Sequence, residues 1–404
     1  QIEMQRKVDA PAQGVRGRYS REELFDKKYF DGGQKVGGYA RDQWGAYRDF
    51  PVHELTLRHI LSRRPESVLE LGCLVEGSPI VTRDGVLPIE QLNDGMEVYT
   101  HEGQFSKIAR CSVRPYNGDV VSITPRYSRG ISLQLTPDHP VYAIRVIRPY
   151  KTWKPELVGK PEWVPAGELA KEEYWLVVPR PRKTADLELD EGYARLCGYY
   201  LADGWCQKKW NGSSTGYTVS FCLRREKYEK YGEDIRIQMK RHFGTTNGWV
   251  EDGEGKAVKL CFYSRLGYKQ LTSTIGQGAR NKTIPMEWIT GASDESLRQV
   301  IFGMYQGDGS VPRNDRISYK TASFSMAVAL RLALLRLGII AEIATCQPRL
   351  SAIRGRVIIG SISYDVRSSG THYDGFAAIV GHPPRVRKDG RAYWYGRMDE
   401  DYVY

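Results

Sequence analysis

Apolar and polar positions change rhythm three times along the chain. Residues 1–20 are polar without a period, which predicts a loose lead-in. Residues 50–65 (PVHELTLRHILSRRPE) predict a short amphipathic helix, with Leu55, Leu57, Ile60 and Leu61 on its apolar side. The run Val68-Leu69-Glu70-Leu71-Gly72 reads as a buried strand opening into a glycine turn. In a parallel α/β fold such a strand continues into a G-x-G loop that cradles a nucleotide-like ligand. Here Cys73 is followed by LVEGSPIVTRDGVLPIEQL, so that loop is interrupted. From 73 to 182 the pattern is short strands between Gly, Asp and Pro turns (SPIVT, GMEVYTHEG, DVVSITP, ISLQLTPDHPVYAI, YWLVVPRP), an all-β pattern. From 183 to 380 helices return, in duplicate. Helix Gly192–Ala202, strand 217–224, a helix near 227–243 and strand material near 258–263 come first. Helix Ser296–Gly307, strand 316–323, helix 326–337 and strand material near 361–368 repeat that order.

Composition bounds what these parts do. The 404 residues suffice for about two to three domains. With 41% hydrophobic and 26% charged residues, disorder along the whole chain is excluded. No apolar run approaches the ~18 residues of a membrane span, so no membrane partner is expected. The formal net charge is +11, which favours a polyanionic partner, nucleic acid first; a solvated basic surface is the plainer alternative. Residues 1–72 hold 13 Lys/Arg against 11 Asp/Glu, which leaves +9 for the rest. Seven cysteines, none in a C-x-x-C pair, argue against a disulfide framework and for a reducing, cytoplasmic compartment. The chain starts at Gln1 with no signal peptide, and reads as a fragment at that end.

The strongest chemical signal is the pair of helix ends, Leu196-Cys197-Gly198-Tyr199-Tyr200-Leu201-Ala202-Asp203-Gly204 and Ile301-Phe302-Gly303-Met304-Tyr305-Gln306-Gly307-Asp308-Gly309. Each has Gly at the third place, a small residue at the seventh, then Asp-Gly. Small residues let two helices meet backbone to backbone, which would set Asp203 beside Asp308. Two carboxylates that close repel unless a cation joins them, and hard oxygen ligands suit Mg²⁺. For either end alone, an ordinary helix C-cap explains the glycine.

Taken together, the ends resemble the two motifs of single-chain LAGLIDADG (dodecapeptide) homing endonucleases, over roughly residues 186–390. Asn281-Lys282-Thr283-Ile284-Pro285 resembles the family's K-x-I-P segment, and Tyr319-Lys320-Thr321-Ala322-Ser323 running to Leu337-Gly338-Ile339 is also similar. The resemblance implies a site-specific, Mg²⁺-dependent double-strand DNA endonuclease with Asp203 and Asp308 catalytic. It implies metal ligation at Asp203, Asp308, Ala202 and Gly307, a catalytic lysine at Lys282, and reading of double-stranded DNA by strands such as 217–224 and 316–323. Lys282 lies 79 residues after Asp203, and the same step from Asp308 lands on Arg387, beside Lys388. Pseudo-symmetry makes Lys388, or Arg387, the second basic catalytic residue, with DNA-backbone contact as the alternative role.

A second constellation is Cys73 with Thr136-Pro137-Asp138-His139. A thiol after Gly72 can attack the preceding carbonyl, given a polarised amide and a proton donor. A buried cysteine and a core histidine are the plain alternative. The arrangement resembles an intein of the Hint class, with Cys73 as first residue, LTPDHPV as its T-x-x-H block, and Trp163–Leu169 running to Trp175–Pro179 also intein-like. The resemblance implies catalytic roles for Cys73, Thr136 and His139, and a downstream extein as partner. Residues 1–72 resemble the start of a class I methyltransferase, which implies S-adenosylmethionine as a cofactor of the spliced host alone.

An intein ends in His-Asn, whereas this sequence ends Asp401-Tyr402-Val403-Tyr404, as if re-entering the Hint domain; splicing is therefore expected not to finish in this polypeptide, and the endonuclease half to act alone. The expected architecture is a partial α/β leader (1–72), an all-β Hint domain (73–182, resuming over 391–404), and an α+β endonuclease (183–390) with two pseudo-symmetric α-β-β-α-β-β halves, as a monomer. Two other readings stand beside it: a LAGLIDADG scaffold that binds DNA without cutting it, and a methyltransferase with a β-rich insertion.

Overall fold

The computed structural model describes residues 2–6, 73–148, 155–169, 173–210, 214–253, 257–311, 316–348, 350–353, 356–384 and 398–403. The helix expected over 50–65, the methyltransferase-like strand before Cys73, and Arg387 and Lys388 lie outside these residues.

Two long helices form the middle of the α+β part, α1 (Glu191–Asp203) and, two-thirds along the chain, the helix Asp294–Asp308. Each starts at a side chain that accepts a first-turn N–H, Asp190 from Tyr193 and Ser293 from Ser296, which sets its start. After α1 come an antiparallel hairpin (Gly204–Trp210, Thr215–Arg224), helix α2 (Arg225–Phe243), strands Gly248–Gly253 and Ala257–Tyr263, and α3 (Arg265–Thr274). A short helix α4 (Met286–Gly291) leads into α5, the helix Asp294–Asp308. Strands Gly309–Ser310 and Ile317–Thr321 follow, then α6 (Phe324–Arg336), strands Glu342–Cys346 and Ser363–Ser368, and α7 (Tyr373–Val380), with an extra hairpin, Leu350–Ile353 and Arg356–Ile359, before the last strand. The expected α-β-β-α-β-β order thus occurs twice, each time closed by a further helix.

The sheets show why period-two patterning gave strands here. In Thr215–Arg224, Val219, Phe221 and Leu223 are buried against helices, while Thr218, Cys222 and Arg224 alternate onto the other face. One continuous core joins both halves through Tyr199, Tyr200, Ile235, Val300, Met304, Tyr319 and Phe376.

Between 73 and 182 the described residues hold strands and two 3₁₀ turns, with no α-helix. A small core of Leu74, Ile89, Leu92, Val98, Ile108, Leu135 and Ala166 fills this β part. The last described residues return to it: Tyr402–Val403 pairs antiparallel with Val178–Pro179, and Asp401 accepts from the Arg180 N–H.

The α+β part does not stand by itself. Ser128–Arg129 of the β part adds a parallel strand beside Glu342–Cys346, Arg331 donates to the Ser128 hydroxyl at 2.9 Å, and the Val86 N–H donates to Ser325 at 3.1 Å. The β part thus supplies the outer strand of the second sheet, and removing it would expose that edge. No helix among the described residues is long and apolar enough to cross a membrane.

Candidate active site

The two motifs meet at glycine. A Cβ placed on Gly198 would lie 2.8 Å from the Gly303 Cα and 2.9 Å from the Met304 nitrogen. One placed on Gly303 would lie 2.9 Å from the Tyr199 nitrogen and 3.0 Å from the Gly198 Cα. Any side chain at either position would force the helices apart, so the close crossing of α1 and α5 depends on both glycines. The glycines after the aspartates have another reason than C-capping. Gly204 and Gly309 are extended (φ −90° and −71°), not left-handed. A Cβ on Gly204 would meet the Tyr200 Cα at 2.6 Å, so glycine is needed for the chain to turn straight from helix into strand.

This crossing brings Ala202, Asp203, Gly307 and Asp308 together. A Cβ on Gly307 would come within 2.7 Å of Asp203 Oδ2, so the small residue at that place makes room for the opposing carboxylate. Asp203 is half-buried and Asp308 reaches solvent. Burial, reinforced by the Asp308 charge, pushes the Asp203 pKa up to about 6, against the pull of Lys227, Lys282 and Arg224. Burial also raises Asp308, again opposed by Lys227 and Lys282. Both aspartates lie near the buried Tyr319 and raise its pKa, after burial itself.

Lys282 reaches the site from the segment before α4. Its ammonium is buried and donates to the carbonyls of Tyr200 (2.8 Å), Gly204 (3.1 Å) and Ala202 (3.4 Å). It also lies 5.3 Å from the Tyr200 ring centroid. Burial lowers its pKa to about 8, while Asp308 and Asp203 oppose the fall.

The structure adds a residue that sequence reasoning missed. Lys227, on the first turn of α2, donates its ammonium hydrogen to the Gly307 carbonyl. No motif spacing marks it, since its place depends on how α2 crosses the ends of α1 and α5. Lys388 lies outside the described residues, so its expected place at the site is left as an expectation.

Cys73, Thr136 and His139 belong to a separate place, in the β part. Strand Cys73–Val75 pairs antiparallel with Leu133–Leu135 through Leu74 and Leu135, so the next step of the register sets Cys73 across from Thr136. Thr136 and His139 are buried, at 1% and 9% exposure. Thr136 Oγ1 and His139 Nδ1 have no hydrogen-bond partner among the described residues. Such orphans are costly in a structural core, and six other side chains of the described residues share the condition. Burial lowers the His139 pKa to about 4, although Asp138 pulls it upward.

The aspartate pair does not by itself make a closed metal cage: no cluster of three or more His, Cys, Asp or Glu side chains occurs among the described residues. Two carboxylates with nearby backbone carbonyls are nonetheless the hard-oxygen, partly open donor set in which Mg²⁺ keeps waters and takes substrate phosphate.

Comparison with known proteins agrees with the second half of this geometry. Residues 295–379 match the family model described as a LAGLIDADG-like domain. Among curated proteins, an iron–sulfur cluster assembly SufBD family protein of Mycobacterium tuberculosis is 28% identical over 314 residues, covering 73% of this chain and 36% of that protein. The ATP-dependent DNA helicase Hel308 of Thermococcus kodakarensis is 26% identical over 384 residues, covering 82% of this chain and 33% of the helicase. The chain thus spans about a third of the length of these relatives. Among solved structures, the homing endonuclease I-DmoI in complex with DNA and Ca overlaps 46% of this chain and 87% of its own, with 17% identity and a TM-score of 0.35. I-WcaI bound to its DNA recognition sequence overlaps 48% of this chain and 83% of its own, with 12% identity and a TM-score of 0.30. Residues 295–379 of the chain are thus a LAGLIDADG-like domain.

Proposed function

We propose that residues 183–390 are a site-specific, Mg²⁺-dependent double-strand DNA endonuclease, embedded in an intein whose Hint domain comprises 73–182 and resumes over 391–404. The observation that carries the endonuclease reading is the crossing at Gly198 and Gly303, which holds two carboxylates together at a cost in repulsion that a bound cation would relieve. Bound there, Mg²⁺ would supply Lewis-acid polarisation of a phosphodiester and a more acidic attacking water. The protein's own part is to position: Asp203 and Asp308, with the carbonyls of Ala202 and Gly307, offer oxygen ligands, and Lys282 adds positive charge where phosphate would lie.

DNA has a matching surface. On the face of the first sheet away from its core, Lys259 stacks on Trp205 at 5.4 Å and on Trp249 at 5.9 Å. Exposed Trp249 and Tyr263 give this face aromatic as well as basic character. Basic contacts of this kind supply salt-dependent affinity, and base-edge contacts supply specificity. A randomised double-stranded DNA library incubated with the protein and Mg²⁺ tests the proposal. Recovery of one cut site is the expected result. Retention of one sequence without cutting would favour the alternative, a binding module; the presence of both aspartates speaks against it.

The intein reading rests on the β part. The register sets Cys73 beside Thr136, and the returning strand Tyr402–Val403 fits a domain split by an insert. It is further supported by relatives with unlike names that match most of this chain over only a third of their own length, as an inserted element would. In the first step the Cys73 thiol would add to the Gly72 carbonyl carbon and the C–N bond would break. The thiol proton is lost and the departing Cys73 nitrogen gains one, with His139 as its donor and Thr136 as a polarising group. The host is proposed to be a methyltransferase, with S-adenosylmethionine bound only after splicing; the residues concerned lie outside the described ones.

A further inference from the structure

The two motif ends are alike in sequence, yet the ammonium groups upon them come from the same half of the chain. Lys282 occupies the carbonyls of the first motif, Tyr200, Ala202 and Gly204. Lys227 occupies the carbonyl of the second, Gly307. Both residues precede the second motif.

Lys227 is held there by a stripe along one face of α2. Lys227, Tyr231 and Asp234 stand at i, i+4 and i+7, a spacing that puts all three on one side of the helix. Tyr231 donates to Gln306 Oε1 at 2.5 Å, one residue before Gly307. Asp234 accepts from Arg195 Nε at 2.7 Å and from the Tyr199 hydroxyl at 3.1 Å, both on α1. Gln306 in turn donates to the Val380 carbonyl at 3.1 Å. The stripe therefore spans both central helices and fixes where the Lys227 ammonium falls.

Among the described residues, the matching helix of the second half carries no such group. Superposing the helix starts, Arg224 on Ser323, puts Met326, Leu330 and Ala333 in the places of Lys227, Tyr231 and Asp234. All three are buried and apolar. The helix that could have mirrored Lys227 carries no charge at those places.

We propose that Lys227 is the positioning residue of the Asp308 side of the site, as Lys282 is of the Asp203 side, so that the first half of the chain equips both strand-cutting centres. The assignment rests on the endonuclease reading. Both aspartates feel both charges, but each ammonium is hydrogen-bonded to the carbonyls of a different motif, so losing one should slow the cutting of one strand more than the other.

The test uses supercoiled plasmid carrying the site recovered from the randomised library, with the full chain and Mg²⁺. Lys227→Met keeps the length and removes the charge. It should accumulate nicked circles and slow their conversion to linear DNA by roughly a hundredfold. Lys282→Met should spare the opposite strand, as mapped on a denaturing gel. Lys227→Arg should recover part of the second cut, and a gel shift with Ca²⁺ in place of Mg²⁺ should show Lys227→Met binding as wild type does. If Lys227→Met linearises the plasmid at the wild-type rate, or if both methionine variants spare the same strand, the assignment is wrong. Stalling at nicked circles in Lys388→Ala, with Lys227→Met unaffected, gives the role to Lys388 instead. A wild-type protein that cuts nothing overturns the endonuclease reading itself, and this assignment with it.

Discussion

Replacing Gly198 with alanine is the smallest perturbation that tests the central crossing. The added methyl would sit 2.8 Å from the Gly303 Cα and 2.9 Å from the Met304 nitrogen, where ordinary contact starts at 3.4 Å. The Val300 carbonyl oxygen is nearer still, and all three neighbours are backbone that cannot rotate away, so α1 and α5 must part by about 1 Å. Overpacking of this size costs about 1–3 kcal/mol. Alanine returns about 1 kcal/mol of helix propensity that glycine lacks. The net loss is then about 1 kcal/mol, a fall in Tm of roughly 2–4 °C. Catalysis is more sensitive, because the same movement separates Asp203 from Asp308, and a misplacement approaching 1 Å costs roughly a hundredfold in rate. Single-turnover cleavage of a labelled duplex, alongside a thermal melt, reads both quantities. The expected pattern is a rate lowered far more than the stability. A variant that cuts as fast as wild type refutes the claim that glycine contact sets the carboxylate geometry.

Three further outcomes follow from other parts of the molecule. Asp203 titrates near pH 6 in the fold against 3.8 ordinarily, so its protonated form is favoured: its contribution to stability is present below pH 3.8 and is lost as pH rises to about 6. Asp203→Asn should therefore melt higher than wild type at pH 7 without metal, lose that advantage toward pH 4, and cut no DNA; equal melting at pH 7 would remove the argument for repulsion. Arg336 is buried and donates to the carbonyls of Ile289 (2.5 Å) and Ala292 (2.6 Å) and to Asp294 Oδ1 (3.0 Å), tying the end of α4 to the start of α5. Arg336→Met strands those acceptors and should cost about 3 kcal/mol in denaturant unfolding; a loss below about 1 kcal/mol would show that water replaces them. On the intein reading, dithiothreitol should release residues 1–72 by cleaving before Cys73, and His139→Ala should stop it, as seen by mass spectrometry; unchanged release in the variant would remove His139 from the chemistry.

What could be read from the sequence was whatever is local to one element. The duplicated halves were legible because Val219, Phe221 and Leu223 alternate within a strand and because Gly198 and Gly303 repeat the same place on two helices. The aspartates followed, since each ends its own helix. Residues 128–129 gave no sign that they complete the second sheet, because an added edge strand is fixed by its partner's free backbone groups rather than by its own pattern. Lys227 is the sharper case. Pseudo-symmetry points to Lys388, through an equal step in residue number, and that residue lies outside the described ones. A lysine that reaches across from another helix has no spacing relative to the motif it serves. Its effect depends on the crossing of α2 over α5, which is fixed by Tyr231 on Gln306 and Asp234 on Arg195. The matching positions of α6, Met326, Leu330 and Ala333, are instead buried in the core.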